Sequence, residues 1–340
     1  MNTKQLDKLW QTGRDFLGVQ YPMLCGAMTW ISDFALVKTI HDNGGFGVLA
    51  GGNLPPDQLE AAVDQCVAEL KHPFGVNLIT IAPYYPEQLE VLRRKDVPVV
   101  IFAGNFPHKH DVRKMKDSGK KTVAFASTMS IANQQIRFGV DALILEGSEA
   151  GGHIGQVSLT VLLQQVLFER PSVPVFVAGG LATGRMMAHL LLMGAAGCQF
   201  GTLFVMSEEC TAHPDFKKAF IKARAREAVA TPTFDKRLPI VPVRALRNKG
   251  TDEFGRLQLE LMQKLRDQEM SRYDAQILVE KFWVGGLRRA VVDGDTEKGS
   301  LMAGQSVGLV KQIKPMAQIF ADLIGDAEDE LTRVHRQLCG

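Results

Sequence analysis

Eight short apolar runs separated by helical patterns constrain this 340-residue chain more than any other feature. They fall near 22–28, 46–49, 74–79, 97–102, 122–125, 142–145, 173–178 and 198–200. Runs such as Ala142-Leu143-Ile144-Leu145 and Val175-Phe176-Val177-Ala178 show no polar alternation, as expected of strands buried on both faces of a parallel sheet. Between them, 33–42, 56–71, 86–94, 109–118, 129–138, 159–169 and 183–193 have helical length, with Ser32, Pro55, Pro56 and Thr183 near expected starts. Gly44, Gly119, Gly139 and Gly194 follow four of these stretches, where left-handed caps belong. A β-α-β-α order with short links implies right-handed crossovers, and eight strands close a TIM (β/α)8 barrel; an open doubly wound sheet is the alternative.

After residue 206 the rhythm breaks. Residues 207–285 hold helical stretches and proline-marked joints without another pair of barrel strands, and are expected as a smaller helical appendage covering the barrel mouth. The barrel then comprises 1–206 and 286–340, with a helix over 303–324 returning to close it. Ten Lys and Arg between 217 and 249 read either as a solvated basic face or as a docking surface for an anionic cofactor or carrier.

Composition excludes several classes. A net charge of +2 offers no electrostatic footprint for nucleic acid. No apolar stretch approaches a membrane span, and the start has no apolar signal region. Five cysteines, Cys25, Cys66, Cys198, Cys210 and Cys339, are odd in number and lack C-x-x-C spacing, so they read as reduced thiols of a cytoplasmic protein. No cluster has metal-ligand spacing. A small-molecule enzyme is expected, with a homodimer as its candidate assembly.

The chemistry concentrates where strands end. Ala178-Gly179-Gly180 and Phe200-Gly201-Thr202 close strands seven and eight, where glycine lets backbone N–H groups approach phosphate oxygens. Neither a G-x-G-x-x-G fingerprint nor a G-x-x-x-x-G-K-[ST] loop accompanies them. Cys25-Gly26-Ala27-Met28, Gly75-Val76-Asn77 and Ala103-Gly104-Asn105 end other strands and are expected at the same cavity. Glu146-Gly147-Ser148-Glu149-Ala150-Gly151-Gly152-His153 runs from strand six into a flexible glycine-rich loop carrying one imidazole. His153 there can take a proton from an acidic carbon, hydrogen-bond an anionic oxygen, or return a proton. Glu146 reads as a ligand to cofactor hydroxyls or a local backbone cap, and Glu149 as structural. The loop 82–86, with Tyr84 and Tyr85, reads as an aromatic lid or, more ordinarily, as local packing.

Taken together, these motifs resemble the nitronate monooxygenase family, formerly the 2-nitropropane dioxygenases, which includes the FMN-dependent enoyl-ACP reductases of type II. The likeness extends from about 21 to 323. It implies FMN, with the ring near Gly26, Ala27, Met28 and Asn77 and contacts from Glu146. It also implies the phosphate at Gly179, Gly180, Gly201 and Thr202, Gly151 and Gly152 against the isoalloxazine, and His153 facing substrate as the catalytic base or orienting group. The chain departs from the family's usual G-G-M after strand one, having Cys25-Gly26-Ala27-Met28. Two activities compete: oxidation of alkyl nitronates with O2 to carbonyl compounds and nitrite, ranked first, and NAD(P)H-dependent reduction of an enoyl thioester. Gly299-Ser300-Leu301-Met302-Ala303-Gly304-Gln305 and Gly51-Gly52-Asn53 resemble the reductases. A non-catalytic flavin-binding module is the third reading, disfavoured by the imidazole.

Overall fold

The computed structural model describes residues 4–234, 238 and 240–339. The strands, in chain order, are β1 (Met23–Cys25), β2 (Val48–Ala50), β3 (Gly75–Ile79), β4 (Val99–Ala103), β5 (Lys121–Ala126), β6 (Ala142–Glu146), β7 (Gly152–His153), β8 (Val175–Ala178), β9 (Gly197–Phe200), β10 (Ala228–Ala230) and β11 (Val243–Leu246). Eight of them form a parallel sheet in the order β1-β9-β8-β6-β5-β4-β3-β2. Each expected apolar run contributes one of these eight.

The ring closes between β1 and the residues just before β2. Leu24 bridges Phe46 in parallel, Cys25 N–H donates to Phe46 O at 3.0 Å and Phe46 N–H to Met23 O at 2.9 Å. Closure removes the open-sheet alternative: the fold is a (β/α)8 barrel. Inside it, Leu24, Val48, Val99, Ile101, Val123, Ile144 and Phe176 pack into one cluster. Leu17 and Val19, just before β1, join that cluster and stop the amino end of the ring. The carboxyl end remains for chemistry.

Local sequence explains most helix ends. Thr183 caps Gly184–Leu192 by accepting from Met186 N–H, and Gly44, Gly119, Gly139 and Gly194 all have positive φ. The cap of Phe34–Asp42 is Asp33, not Ser32. Ser32 instead donates to Gly26 O at 2.7 Å and accepts from Met28 N–H at 3.0 Å, fixing the turn after β1. The stretch 159–169 divides into Leu159–Leu162 and a π-helical turn, Leu163–Leu167.

Two expectations need correction. Residues 207–285 are not wholly helical: β10 and β11 pair antiparallel, and β11 also pairs with β7 from the histidine loop. These strands are only three and four residues long, too short to show a period. Around them, the helices Lys249–Arg266 and Arg272–Val291 pack through Phe254, Leu261, Val279 and Trp283. Trp30, from the turn after β1, donates its indole N–H to Val284 O at 3.2 Å and ties this layer to the barrel. Second, the C-terminal helix is Met316–Cys339, not 303–324. Pro315 cannot sit inside a helix and marks its start; residues 303–308 run as a short segment with a 3-10 turn, Gln305–Gly308.

Candidate active site

At the carboxyl ends of the barrel strands lies a cavity of about 310 Å³. All twelve site residues named from sequence line it: Gly26, Ala27 and Met28 after β1, Asn77 in β3, Glu146 ending β6, Gly151, Gly152 and His153 on the loop, Gly179 and Gly180 after β8, and Gly201 and Thr202 after β9. Such convergence of strand ends is what a parallel barrel produces.

Gly179 and Gly180 take φ of +97° and +75°, a left-handed pair that side chains disfavour. A Cβ on Gly179 would fall 2.9 Å from Gly147 O, so the two loops need glycine to sit this close. Gly201 precedes the short helix Thr202–Val205. Thr202 Oγ1 accepts from Gly304 N–H at 3.0 Å and keeps its own proton to donate.

Polar side chains of the cavity have unused hydrogen-bonding capacity. Asn77 spends Nδ2 on Ile101 O at 3.1 Å, leaving Oδ1 without a partner among the described residues. Glu146 has no hydrogen-bond partner there, and burial pushes its carboxyl up to about 8. Gln199, buried in β9, also lines the cavity. Sequence reading missed Gln199, although one polar residue within the otherwise apolar Gly197-Cys198-Gln199-Phe200 is a signal in itself. Cys25 does not line the cavity; its buried thiol lies 3.7 Å from Ser32 Oγ, and burial pushes it up to about 12.

The histidine loop is fastened rather than flexible. Val243 pairs with His153 and Arg244 with Gly152, while Ile154 N–H donates to Pro242 O at 2.9 Å. Buried Arg244 donates to Ser148 O at 3.0 Å and to Ala228 O, joining the loop to β10. Glu149 is structural, its carboxylate accepting from Leu159 N–H at 3.0 Å. On the other side, a Cβ on Gly151 would come within 2.5 Å of Gly304 N, so glycine is required where the loop meets 303–304. His153 Nε2 stands 3.3 Å from Glu280 Oε2 on the helix Arg272–Val291. No sequence pattern pointed to Glu280, because that helix meets the loop only in the folded chain.

Apolar side chains complete the wall: Ile79, Ile81, Phe106 and Phe125 on the barrel side, and Ile154, Val241, Leu287 and Met302 on the appendage side. Tyr84 and Tyr85 are absent from it; Tyr85 is buried and its hydroxyl donates to Asp111 at 2.9 Å. Much of the basic stretch is spent internally. Lys217 is buried against Ser207 O and Cys210 O, each at 2.6 Å, Lys218 and Arg224 pair with Asp215 and Glu227, and Lys249 pairs with Glu297. Lys236 and Arg237 lie outside the described residues.

A closed (β/α)8 barrel with its cavity, glycine cradle and imidazole all at the carboxyl ends of the strands defines an enzyme of the barrel class. The chain belongs to the nitronate monooxygenase family, whose model matches residues 11–88 and 79–326, and it is an oxidoreductase. FabK from Thermotoga maritima is 34% identical, with a TM-score of 0.84 over 95% of this chain and 98% of that one. A 5-hydroxy-7a-methyl-1-oxo-octahydro-1H-indene-4-carboxyl-CoA dehydrogenase of Mycobacterium tuberculosis is 28% identical over 92% of this chain and 94% of its own length. Nitroalkane oxidase from Streptomyces ansochromogenes shares the fold, at 24% identity and a TM-score of 0.79 over 94% of this chain and 99% of that one. No helix among the described residues is long and apolar enough to cross a membrane.

Proposed function

We propose that this chain is an FMN-dependent reductase of unsaturated acyl thioesters, with NAD(P)H as electron donor and a cytoplasmic location. The observation that carries this reading is the apolar wall formed by Ile154, Val241, Leu287 and Met302 beside His153. A hydrocarbon chain gains by burial there, at about 25 cal/mol per Å² of apolar surface removed from water, whereas a small charged nitronate gains little. Met302 and Gly304 belong to the 299–305 segment that resembles the enoyl reductases, and both line the cavity. The likeness to a dehydrogenase named for a CoA thioester and to FabK supports the same reading.

The residues present fit FMN. Gly179 and Gly180 take positive φ and pack closely on the 147–150 loop, and with Gly201 and Thr202 they would offer backbone donors to a phosphate. Asn77, Glu146 and Gln199 hold unused polar capacity for a heteroaromatic ring, and Gly26, Ala27, Met28, Gly151 and Gly152 admit it closely. FMN, when bound, supplies two-electron chemistry that no side chain provides. Glu146, whose carboxyl burial pushes up to about 8, would hold a proton that it could donate to bound FMN. His153 gives a proton to the substrate carbon that has become carbanionic, and solvent replaces it.

Nitronate oxidation with O2, ranked first from sequence, stays as the second reading because the family model carries that name. Anaerobic mixing separates the two. Bleaching of the flavin by NADH or NADPH and recolouring by crotonyl-CoA is the expected outcome. Bleaching by propyl-2-nitronate but by neither nicotinamide would overturn the reductase reading.

A further inference from the structure

Glu280 sits on the appendage helix Arg272–Val291, yet its carboxylate faces the loop that carries His153. His153 Nε2 is shut off from solvent and has no aligned hydrogen bond among the described residues. Its neighbour within ion-pair distance is Glu280 Oε2 at 3.3 Å, with the two side chains 31% and 18% exposed. Catalytic hydrogen bonds are often long or poorly aligned before a site is filled, and a 3.3 Å approach between Nε2 and Oε2 fits that pattern. The β7–β11 pairing fixes the backbone under the imidazole, so the ring cannot follow a moving loop. Nδ1 has no hydrogen-bond partner among the described residues, and His153 lines the cavity.

We infer that Glu280 is a positioning residue that keeps a proton on His153 Nε2 and thereby makes Nδ1 the nitrogen that exchanges a proton with substrate. An acceptor-only carboxylate beside Nε2 selects the tautomer in which Nε2 carries hydrogen. Nδ1 is then left with its lone pair free to meet a proton of the substrate. When the ring is doubly protonated, the same carboxylate balances its charge, and the proton that departs is the one on Nδ1. The catalytic imidazole thus comes from the barrel and its orienting carboxylate from the appendage. The roles given to Nδ1 and substrate rest on the reading of His153 as the group that manages substrate protons.

Nitrogen-15 NMR of the wild-type FMN-loaded protein reads the tautomer directly at about pH 8.5, well above the ordinary imidazole range. The His153 signals are assigned by their loss in His153→Gln. The expected spectrum shows hydrogen on Nε2 and a bare Nδ1; hydrogen on Nδ1 would overturn the inference without any Glu280 variant. In Glu280→Ala the tautomers should mix, and kcat with crotonyl-CoA should fall at least about tenfold while KM changes little. Glu280→Gln keeps an acceptor, so it should restore the Nε2–H tautomer and much of kcat. A Glu280→Ala protein with the wild-type spectrum and kcat would also overturn it. If the wild type fails to turn over crotonyl-CoA, the thioester reading falls, and the spectra still decide the role of Glu280.

Discussion

Two residues carry the sharpest consequences. His153→Ala leaves the glycine cradle untouched, so FMN uptake should persist while turnover of crotonyl-CoA falls by roughly two to four orders of magnitude. Steady-state kinetics on the yellow variant checks this, and full activity would remove His153 from the mechanism. Glu146 gives a pH signature. Burial raises its carboxyl from 4.5 to about 8, so the folded state binds a proton that the unfolded state has released. Its contribution to stability is fully present below about pH 4.5 and is lost as pH rises through about 8. Glu146→Gln abolishes that dependence. Thermal melts of the FMN-free protein should show the wild type losing more stability than Glu146→Gln between about pH 5 and pH 8. Gly179, Gly180 and His153 could be singled out in sequence because a glycine pair and a loop carrying an imidazole stand directly where continuously apolar strands end. Gln199 could have been read from its isolation among apolar neighbours, whereas Glu280 was hidden by long-range placement.

At the scale of elements, the barrel strands were readable because burial on both faces makes them continuously apolar. β7, β10 and β11 were not, since their order comes from pairing with one another rather than from local pattern. That small sheet matters because it holds the imidazole. Arg244 is its clamp, with guanidinium bonds to Ser148 O and Ala228 O. Arg244→Ala removes two charge-assisted bonds, each contributing about 1.5–3 kcal/mol. Amide exchange at Gly152, His153 and Ile154 should speed up by at least about tenfold, the effect of 1.4 kcal/mol on a local opening equilibrium. Unchanged exchange would mean that the β7–β11 ladder alone fixes the loop.

At the scale of the whole molecule, the C-terminal helix Met316–Cys339 belongs to the barrel rather than trailing from it. Met316, Ile319, Phe320, Leu323, Ile324 and Leu331 are buried along it, and Phe320 stacks on Phe204 with centroids 5.6 Å apart. A Cβ at Gly184 would sit 1.9 Å from Leu323 O, so its helix and this one meet at backbone contact. Six such side chains contribute roughly 10 kcal/mol or more, comparable with the whole net stability of a typical domain. A chain ending at 315 should therefore fail to show cooperative unfolding by circular dichroism; a normal melt would contradict the helix's structural role. The sequence pattern announced a returning helix but began it too early, because Gly304 and Gly308 disfavour a helix over 303–308 and Pro315 marks the actual start. The most direct test of the central claim is a titration of FMN-free protein with FMN, followed by flavin fluorescence. The expected result is saturation at one FMN per chain in the wild type, with affinity at least about tenfold weaker in Gly179→Ala, whose positive φ and close approach to Gly147 O disfavour a methyl group. Absence of saturable binding in the wild type would contradict the assignment of this cavity to FMN.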